Sequence, residues 1–389
     1  MENEIENFSL SFNRKLVFGK GVINLLSSVV KEFGKKVLFV VSKTFSNSQE
    51  WKNLLEKLNK ELDIRLEFVS GEPTVEMVDS IVIRHKENEV DVVVSIGGGS
   101  AIDTGKAVAT MLVEEGSVEE YLEGVGSKKP SGAKKPFIAV PTTFGTGSEA
   151  TKNAVISKYG KFKKSLRHDN FIPDVALIDP TLGYTTPVNV RIPSGLDALT
   201  QLIEAYTSTN SNPYSDALCE KAFSILRTSF GKVLFNEGPS YEDFSNVALS
   251  AYFSGICLAN AGLGVVHGFA SVIGGLYSIP HGVICGKLIY HSTLKNIETL
   301  KREENTFFLR KYAKIGDLLY DGKEEGIENG LSKLKEVLEN LHHKAKLKNL
   351  KDYGITESDL PLIASKTSLK ENPSKLTLED LIGILEKAM

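Results

Sequence analysis

The sequence has 389 residues, of which 41% are hydrophobic and 24% charged, and its formal net charge is -3. This length and composition are typical of a soluble globular protein with enough apolar residues for two domains. Because the lysines are scattered among acidic residues, no basic stripe marks a nucleic-acid surface. Three cysteines are too few and too far apart for a disulfide framework or a CxxC zinc site, which favours a reducing cytoplasm.

The first half of the sequence alternates two kinds of pattern. Residues 35–42 and 90–100 contain near-continuous runs of Val, Ile and Leu, as in strands buried on both faces of a parallel sheet. Between them, residues 48–62 and 75–86 repeat apolar side chains at every third or fourth position, which predicts amphipathic helices. Farther on, residues 135–141 and 171–180 predict two more buried strands, and residues 154–167 predict a hairpin that turns at Tyr159 and Gly160.

Helical periodicity dominates from Leu196 to the C-terminus. We therefore predict an α/β nucleotide-binding domain with a mostly parallel sheet in residues 1–188 and an all-helical domain in residues 189–389. The strand near residues 15–18 is a predicted edge for pairing with a second copy, as in a homodimer.

One long stretch, residues 244–286, contains no Asp, Glu, Lys or Arg and is predicted to be the most deeply buried part of the protein. It exceeds the roughly 20 apolar residues that span a bilayer, but its serines, eight glycines and Pro280 favour a soluble core over a membrane segment. Cys257 and Cys285 fit this core as small hydrophobic residues. His267 and His281 are either metal ligands or core histidines with satisfied hydrogen bonds.

Two loops follow predicted strands and suit a nucleotide. Gly97, Gly98 and Gly99 let a backbone approach a pyrophosphate, and the helix predicted from Ala101 to Met111 would attract that anion with its N-terminus. A tight strand-to-helix turn explains the same glycines, because GxGxxG is absent. Residues 141–151 place five hydroxyl groups and two glycines after a strand, a composition suited to hydrogen bonds with ribose, phosphate or carboxamide groups.

In the helical half, Asp197 and Gln201 stand four residues apart and project from the same face of a predicted helix. They are candidates for binding a ligand. The alternative is that Ser194 and Asp197 form a capping box at the start of the helix and Gln201 is a solvated neighbour.

Taken together, the segments GGGSAIDTGKAVA, PTTFGTGSEAT, SGLDALTQLIEAY and GVVHGFASVIGGLYSIPHG closely resemble the iron-containing (group III) alcohol dehydrogenase family, in this order and at these separations. The resemblance spans nearly the whole chain. It implies a dehydroquinate synthase-like architecture, with an N-terminal nucleotide-binding domain, a C-terminal helical domain, and a cleft that holds a divalent metal and a nicotinamide.

The same resemblance implies that Asp197, His267 and His281 are three of four metal ligands, for Fe²⁺ or Zn²⁺. Gln201 replaces the usual fourth ligand, a histidine, and its carbonyl oxygen is a weaker donor. Ser271 replaces another histidine that is usual near the active site. His267, His281 and Ser271 are therefore the implied catalytic residues, with a metal that polarises the substrate oxygen or, as in maleylacetate reductases, without one.

The implied cofactor is NADP(H) in preference to NAD(H). Ser42 is followed by Lys43 where NAD-preferring relatives commonly carry an Asp, and neither residue would repel a 2′-phosphate. The remaining implied cofactor contacts are Gly97, Gly98, Gly99, Ser100, Asp103, Thr142, Thr143, Thr151, Lys164 and Leu182.

The sequence thus predicts an oxidoreductase that moves hydride between a nicotinamide cofactor and a small alcohol or aldehyde, without a nucleic-acid or membrane partner. The alternatives are a metal-independent reductase, a lyase that resembles dehydroquinate synthases, and a non-catalytic nucleotide-binding protein.

Overall fold

The computed structural model describes residues 7–389. Within it the chain divides into two compact units. One unit is formed by residues 12–186, and the other by residues 187–389 together with the segment that ends at Ser11. The division at residues 188 and 189 stays a prediction about domains.

The first unit is built on a parallel sheet of six strands in the order β1-β8-β5-β4-β2-β3. The strands of this sheet are β1 (Lys15–Phe18), β2 (Lys36–Ser42), β3 (Asp63–Val69), β4 (Val92–Gly97), β5 (Phe137–Pro141) and β8 (Val175–Ile178). Every pairing in it is parallel. The predicted mostly parallel sheet is therefore confirmed, and β1 and β3 are its edges.

Apolar side chains cover both faces of the central strands of this sheet, which explains why β2, β4, β5 and β8 are almost uniformly apolar. Val37, Phe39 and Val41 point to one face, and Leu38 and Val40 to the other. The helices of this unit are α1 (Leu26–Lys31), α2 (Lys43–Ser46), α3 (Gln49–Leu58), α4 (Val75–His85) and α5 (Gly99–Met111).

The predicted hairpin in residues 154–167 is also present. Strands β6 (Asn153–Lys158) and β7 (Phe162–Arg167) pair antiparallel and lie in a separate two-stranded sheet. Gly160 turns the chain between them with a φ of 70°, a conformation that glycine adopts without strain.

The second unit is helical. Its helices are α6 (Val188–Tyr206), α7 (Pro213–Phe235), α8 (Tyr241–Ala261), α9 (Val265–Leu276), α10 (His281–Arg302), α11 (Thr306–Tyr320), α12 (Ile327–Ala345), α13 (Leu360–Lys366) and α14 (Leu378–Glu386). Apolar side chains of α9, α10, α13 and α14 form one of its buried clusters.

Both units also contain short 3-10 helices. These occur at Val22–Leu25, Val118–Tyr121, Ser148–Ala150, Asp169–Phe171, Pro180–Gly183, Leu350–Tyr353 and Glu357–Asp359.

Two sequence interpretations are wrong in this unit. Helix α6 begins at Val188 and contains Pro193, so Ser194 lies inside the helix and cannot form the capping box considered for Asp197. The charge-free stretch is buried over most of its length, but Ser271, Leu276 and Ser278 are exposed where α9 ends.

No single helix within residues 7–389 is both long and apolar enough to cross a membrane. Helices α8 and α9 satisfy the length and composition criteria only as a pair, with a bend of 96° between them.

Candidate functional site

Three neighbouring strands of the parallel sheet end at the same edge, and the predicted cofactor residues follow them. In the sheet register Val41 lies opposite Ile96, and Gly97 lies opposite Pro141. Ser42, the glycine turn and Thr142 therefore come together at the carboxyl ends of β2, β4 and β5. The chain order of the strands reverses between β2 and β4, which is where open α/β sheets bind their ligands.

The glycine turn packs against its surroundings so closely that side chains are excluded. A Cβ atom on Gly97 would lie 2.7 Å from the Cβ of Ser42 and 2.7 Å from that of Ala101. On Gly99 a Cβ would lie 2.6 Å from the side chain of Thr146, and on Gly98 it would lie 3.0 Å from Thr143 Oγ1. These glycines bring the strand end, the helix start and the second loop together, so the turn does more than reverse the chain.

Helix α5 offers its first backbone amides at this turn. Gly98 is the residue before the helix. Gly98 and Gly99 are only partly buried, and Ser100 is exposed. Amides at a helix N-terminus, with the positive end of the helix dipole behind them, bind phosphate groups. The predicted pyrophosphate site is therefore open to a ligand.

A buried lysine holds the second loop in place. The ammonium group of Lys106 donates hydrogen bonds to Ser148 O (2.9 Å), Thr151 O (2.7 Å), Thr151 Oγ1 (2.9 Å) and Asn153 O (2.8 Å). Burial lowers the pKa of Lys106 to about 8, against the attraction of the carboxyl groups of Asp103 and Glu149. The lysine remains charged at neutral pH and ties the loop to α5.

The other predicted cofactor residues lie around this network with different partners. Asp103 is buried and accepts a hydrogen bond from the backbone of Val155 at 2.9 Å. Thr142 donates its backbone N–H to Gly97 O. Leu182 is part of the sheet core, and Lys164 is exposed on β7. Asp103 and Thr151 thus support the loop from within.

In the helical unit, side chains from three helices converge. Within the described part of the chain, the group of His, Cys, Asp and Glu side chains that could hold a metal ion consists of Asp197 on α6, His267 on α9, and His281 and Cys285 on α10. One ligand atom from each lies within 4.8 Å of the others. Asp197 Oδ1 is 3.4 Å from His267 Nε2 and 3.6 Å from His281 Nε2.

Two glycines allow close packing around the histidines, and each follows one of them: Gly282 lets α10 approach α6, and Gly268 lets the segment after α13 approach α9. A Cβ on Gly282 would lie 2.5 Å from the backbone oxygen of Pro193 in α6, so α10 begins in direct contact with the helix that carries Asp197. A Cβ on Gly268 would lie 2.0 Å from Ser368 O. Larger residues at these positions would push the histidine backbones outwards.

Glu204 fixes the orientation of His267. Its Oε2 lies 2.6 Å from His267 Nδ1, and its Oε1 accepts the backbone N–H of Val266 at 2.6 Å. A carboxylate can only accept, so Nδ1 carries the proton and Nε2 turns its lone pair towards Asp197. A carboxylate behind a histidine in this way is the usual support of a metal-binding imidazole.

The residues fit a divalent cation. Asp197 is 1% exposed, and its Oδ1 accepts no hydrogen bond although two imidazole nitrogens face it. Burial would raise the pKa of Asp197, but the imidazoles of His281 and His267 outweigh it and lower the pKa. A charged, buried oxygen without a hydrogen bond is costly unless a cation neutralises it.

Gln201 and Ser271 have other surroundings. Gln201 is buried; its Oε1 accepts a hydrogen bond from Ser254 Oγ at 2.8 Å, and its Nε2 lies 3.4 Å from Asp197 Oδ2. Ser271 is exposed on α9, one turn after His267.

The sequence analysis assigned no role to Glu204 and treated Cys285 only as a core residue, which is confirmed to be buried. Burial raises the pKa of the Cys285 thiol to about 12, and its Sγ lies 3.8 Å from His267 Nε2 and 3.7 Å from His281 Nε2. Both residues could have been found as candidates from their spacing along the helices. Cys285 stands four residues after His281 on α10, and Glu204 stands seven residues after Asp197 on α6. Both spacings place the two side chains on the same face of a helix.

Comparisons with known proteins agree with this geometry. The family model described as "Iron-containing alcohol dehydrogenase" matches residues 13–180, and that of the C-terminal part of the Fe-containing alcohol dehydrogenase family matches residues 191–389. An NAD-dependent methanol dehydrogenase of Bacillus methanolicus is 29% identical over 96% of this chain and 97% of its own length. Lactaldehyde reductase of Escherichia coli (strain K12) is 30% identical over 97% of this chain and 98% of its own length.

A solved structure of a 1,3-propanediol oxidoreductase has 25% sequence identity and superposes with a TM-score of 0.88, covering 99% of this chain and 100% of that chain. The two family matches, the full-length relatives and the convergence of Asp197, His267 and His281 lead to one conclusion: this chain belongs to the iron-containing alcohol dehydrogenase family.

Proposed function

We propose that this alcohol and aldehyde oxidoreductase, which uses a nicotinamide cofactor and a divalent metal, works with NADP(H) on small oxygenated substrates. The observation that carries the proposal is the set of buried Asp197, buried His267 and partly exposed His281, in which Asp197 Oδ1 lacks a hydrogen bond. A metal-dependent reaction explains why a buried charged oxygen is held beside two imidazoles, one buried and one partly exposed to solvent.

The residues have separate tasks. Asp197, His267 and His281 would hold Fe²⁺ or Zn²⁺, and a metal bound there supplies a Lewis acid that polarises the substrate oxygen. Glu204 keeps Nε2 of His267 unprotonated and aimed at the site. Ser271, which is exposed one turn after His267, would pass a proton between the substrate oxygen and water. Reduction of an aldehyde requires that proton, because hydride adds only to the carbonyl carbon and the oxygen must gain a proton to form the alcohol.

The preference for NADP(H) rests on the end of β2. Ser42 and Lys43 stand where an acidic residue would repel a 2′-phosphate, and Lys43 is exposed. The hydroxyl of Ser42 caps α2 by accepting the N–H of Phe45 at 3.3 Å. A phosphate near this helix start would meet a hydroxyl group and a lysine rather than a carboxylate.

We also propose a cytoplasmic homodimer without nucleic-acid or membrane partners. The three cysteines are free and buried, which suits a reducing compartment. Strand β1 is an edge of the sheet and could pair with the same strand of a second copy. Sedimentation of the purified protein would test the dimer, and a single-chain mass would reject it.

The direct test is to follow oxidation of NADPH and NADH by the purified enzyme with a panel of small aldehydes, before and after chelation. We expect turnover, faster with NADPH at low cofactor concentration, that is lost on removal of the metal and recovered when Zn²⁺ or Fe²⁺ is added. Turnover that survives complete metal removal would favour the metal-independent reductase. Absence of any nicotinamide oxidation across the panel would reject the oxidoreductase function.

A further inference from the structure

The side chain of Cys285 lies in the metal-binding group although the sequence offered it only as a core residue. It stands one turn after His281 on α10 and is fully buried. Its sulfur faces both histidines through their Nε2 atoms, at 3.8 Å from His267 and 3.7 Å from His281. These are the same nitrogens that face Asp197 Oδ1.

The four atoms have the spacing of a tetrahedral metal site. Bonds of about 2.0–2.1 Å to nitrogen or oxygen and about 2.3 Å to sulfur place the ligand atoms of a tetrahedral zinc site about 3.3–3.6 Å apart. The separations here are 3.4 and 3.6 Å between oxygen and nitrogen, and 3.8 and 3.7 Å between sulfur and nitrogen. These four separations are within about 0.3 Å of the tetrahedral values, and all four ligand atoms lie within 4.8 Å of one another.

Gln201 is a poorer fourth ligand in this arrangement. The oxygen of its carboxamide, the only atom that can bind a cation, accepts a hydrogen bond from Ser254. Its NH₂ group is the part that lies towards Asp197, at 3.4 Å from Oδ2. Gln201 therefore orients the carboxylate of Asp197 from behind.

We propose that Cys285 supplies the fourth ligand of the metal in place of Gln201, and that this Asp-His-His-Cys set selects Zn²⁺ over Fe²⁺. The inference rests on the metal-dependent function proposed above. A thiolate is a soft ligand that favours zinc, whereas the carboxamide oxygen of Gln201 would be a hard one. Gln201 becomes a positioning residue for Asp197.

The experiment uses Co²⁺ as a spectroscopic probe of the ligands. Metal-free full-length protein is titrated anaerobically with Co²⁺, and the near-ultraviolet absorption is recorded, since charge transfer from a thiolate to Co²⁺ absorbs strongly there. We expect one Co²⁺ per chain with this absorption. Cys285→Ser should lose it and bind Co²⁺ more than tenfold more weakly, since changes to groups that only support ligands already cost about tenfold to a hundredfold.

Cys257→Ser is the matched control, because Cys257 is equally buried in the same unit and its sulfur lies near Ser215 O rather than at the site. It should keep the absorption. Gln201→Ala should keep it too, with a modest loss of affinity. In competition between equal concentrations of Zn²⁺ and Fe²⁺, the wild-type protein should retain zinc, and Cys285→Ser should retain a smaller proportion of it.

Co²⁺ bound without the charge-transfer absorption in the wild-type protein would overturn the inference, and so would failure to bind Co²⁺. The wild-type spectrum decides even if Cys285→Ser does not fold. Because the spectrum is recorded without substrate, the inference and the proposed function can fail separately. Thiolate absorption in a protein that oxidises no nicotinamide supports Cys285 and rejects the function, whereas metal-dependent turnover without that absorption rejects Cys285 alone.

Discussion

At the scale of single residues, three buried side chains contact one another in sequence. Glu204 contacts His267, and His267 faces Asp197, so each side chain fixes the orientation of its neighbour. Glu204 fixes the proton of His267 on Nδ1, and Nε2 then faces Asp197 Oδ1 at 3.4 Å. Desolvation lowers the pKa of His267, but the sulfur of Cys285 and the carboxylates of Glu204 and Asp197 outweigh it and raise the pKa well above its usual value. The carboxylates that raise this pKa would also favour a cation bound at Nε2.

Replacing Glu204 tests this chain of contacts. Glu204→Gln keeps the size of the side chain but removes the charge behind His267, so metal affinity should fall about tenfold to a hundredfold. Competition with a chelator of known affinity measures the effect. Glu220→Gln is the control, since Glu220 accepts a hydrogen bond from Tyr206 at 2.7 Å in the same unit and lies outside the metal-binding group. Equal metal affinity in both variants would contradict a role for Glu204 in orienting the ligand.

Ser42 provides a test of cofactor choice. Ser42→Asp should raise the KM for NADPH by about tenfold or more, because a carboxylate there repels a 2′-phosphate, while the KM for NADH changes little or falls. Aspartate caps helices as well as serine does, so α2 should persist. Ser48→Asp is the control for capping, since Ser48 caps α3 by accepting the N–H of Trp51 at 3.1 Å. A parallel change in both KM values after Ser42→Asp would contradict the predicted preference.

At the scale of elements, the glycine turn and the second loop depend on each other. Gly99 packs so closely against Thr146 of the loop that there is no room for a side chain between them. Hydrogen bonds from Lys106 also hold the loop against α5. A displacement of either element would therefore alter the positions of the other. The phosphate-binding amides and the hydroxyl groups of the loop behave as one assembly.

Gly99→Ala tests this assembly. Its new methyl group would lie 2.6 Å from the side chain of Thr146, and overpacking of this kind costs about 1–3 kcal/mol. Affinity for the nicotinamide cofactor should fall about tenfold to a hundredfold, as measured by fluorescence titration. Gly231→Ala is the control, because a Cβ there meets no atom within 4 Å. Unchanged cofactor affinity in Gly99→Ala would show that the loop does not depend on the turn.

Glu149, in the same loop, makes a prediction about pH. Burial raises its pKa from 4.5 to about 7. The folded state therefore holds the proton more tightly than the unfolded state, and the contribution of Glu149 to stability is complete below about pH 4.5 and is lost as the pH rises through about 7. Glutamine does not titrate, so Glu149→Gln should gain stability relative to the wild type between pH 5 and pH 8, on the order of 3 kcal/mol.

Urea unfolding at the two pH values measures this difference. Glu50→Gln, an exposed position on α3, should show a much smaller change between them. A constant stability difference between Glu149→Gln and the wild type from pH 5 to pH 8 would mean that Glu149 is charged in the folded protein throughout.

At the scale of the whole molecule, each of the two compact units carries one of the predicted ligand sites: the glycine turn lies in residues 12–186, and the group that could hold a metal lies in residues 187–389. Ligands that bind only the folded state stabilise it by mass action. Metal and nicotinamide should therefore each raise the unfolding temperature.

Removal of the metal should lower the unfolding temperature by about 10 °C, because a ligand at a thousand times its dissociation constant contributes about 4 kcal/mol and 1 kcal/mol shifts a unit of this size by about 2–4 °C. Calorimetry before and after chelation measures the shift. Asp197→Asn, which lacks the buried charge that a cation neutralises, should respond little to chelation. An unchanged unfolding temperature after verified metal removal would contradict a metal bound in the folded protein.

The hairpin at Gly160, the helical second half and the other strands of the parallel sheet could be predicted from the sequence, because periodicity and glycine turns are local properties. Strand β3 was not predicted. Three members of the metal-binding group were implied by the family resemblance. The start of α6 could not be predicted from the sequence. Pro193 and Ser194 resemble the first residues of a helix, but they lie inside α6 because the helix already begins at Val188.

The positions of Glu204 and Cys285 beside the histidines could not be predicted from the sequence. The sequence by itself determined which residue types are available and on which helices they stand. Only the tertiary structure decided that the thiol of Cys285 faces the same two imidazole nitrogens as Asp197, and that Glu204 supports one of them. The physical reason is that contacts between residues far apart in the chain depend on how α6, α9 and α10 pack, and the close approach at Gly282 sets that packing.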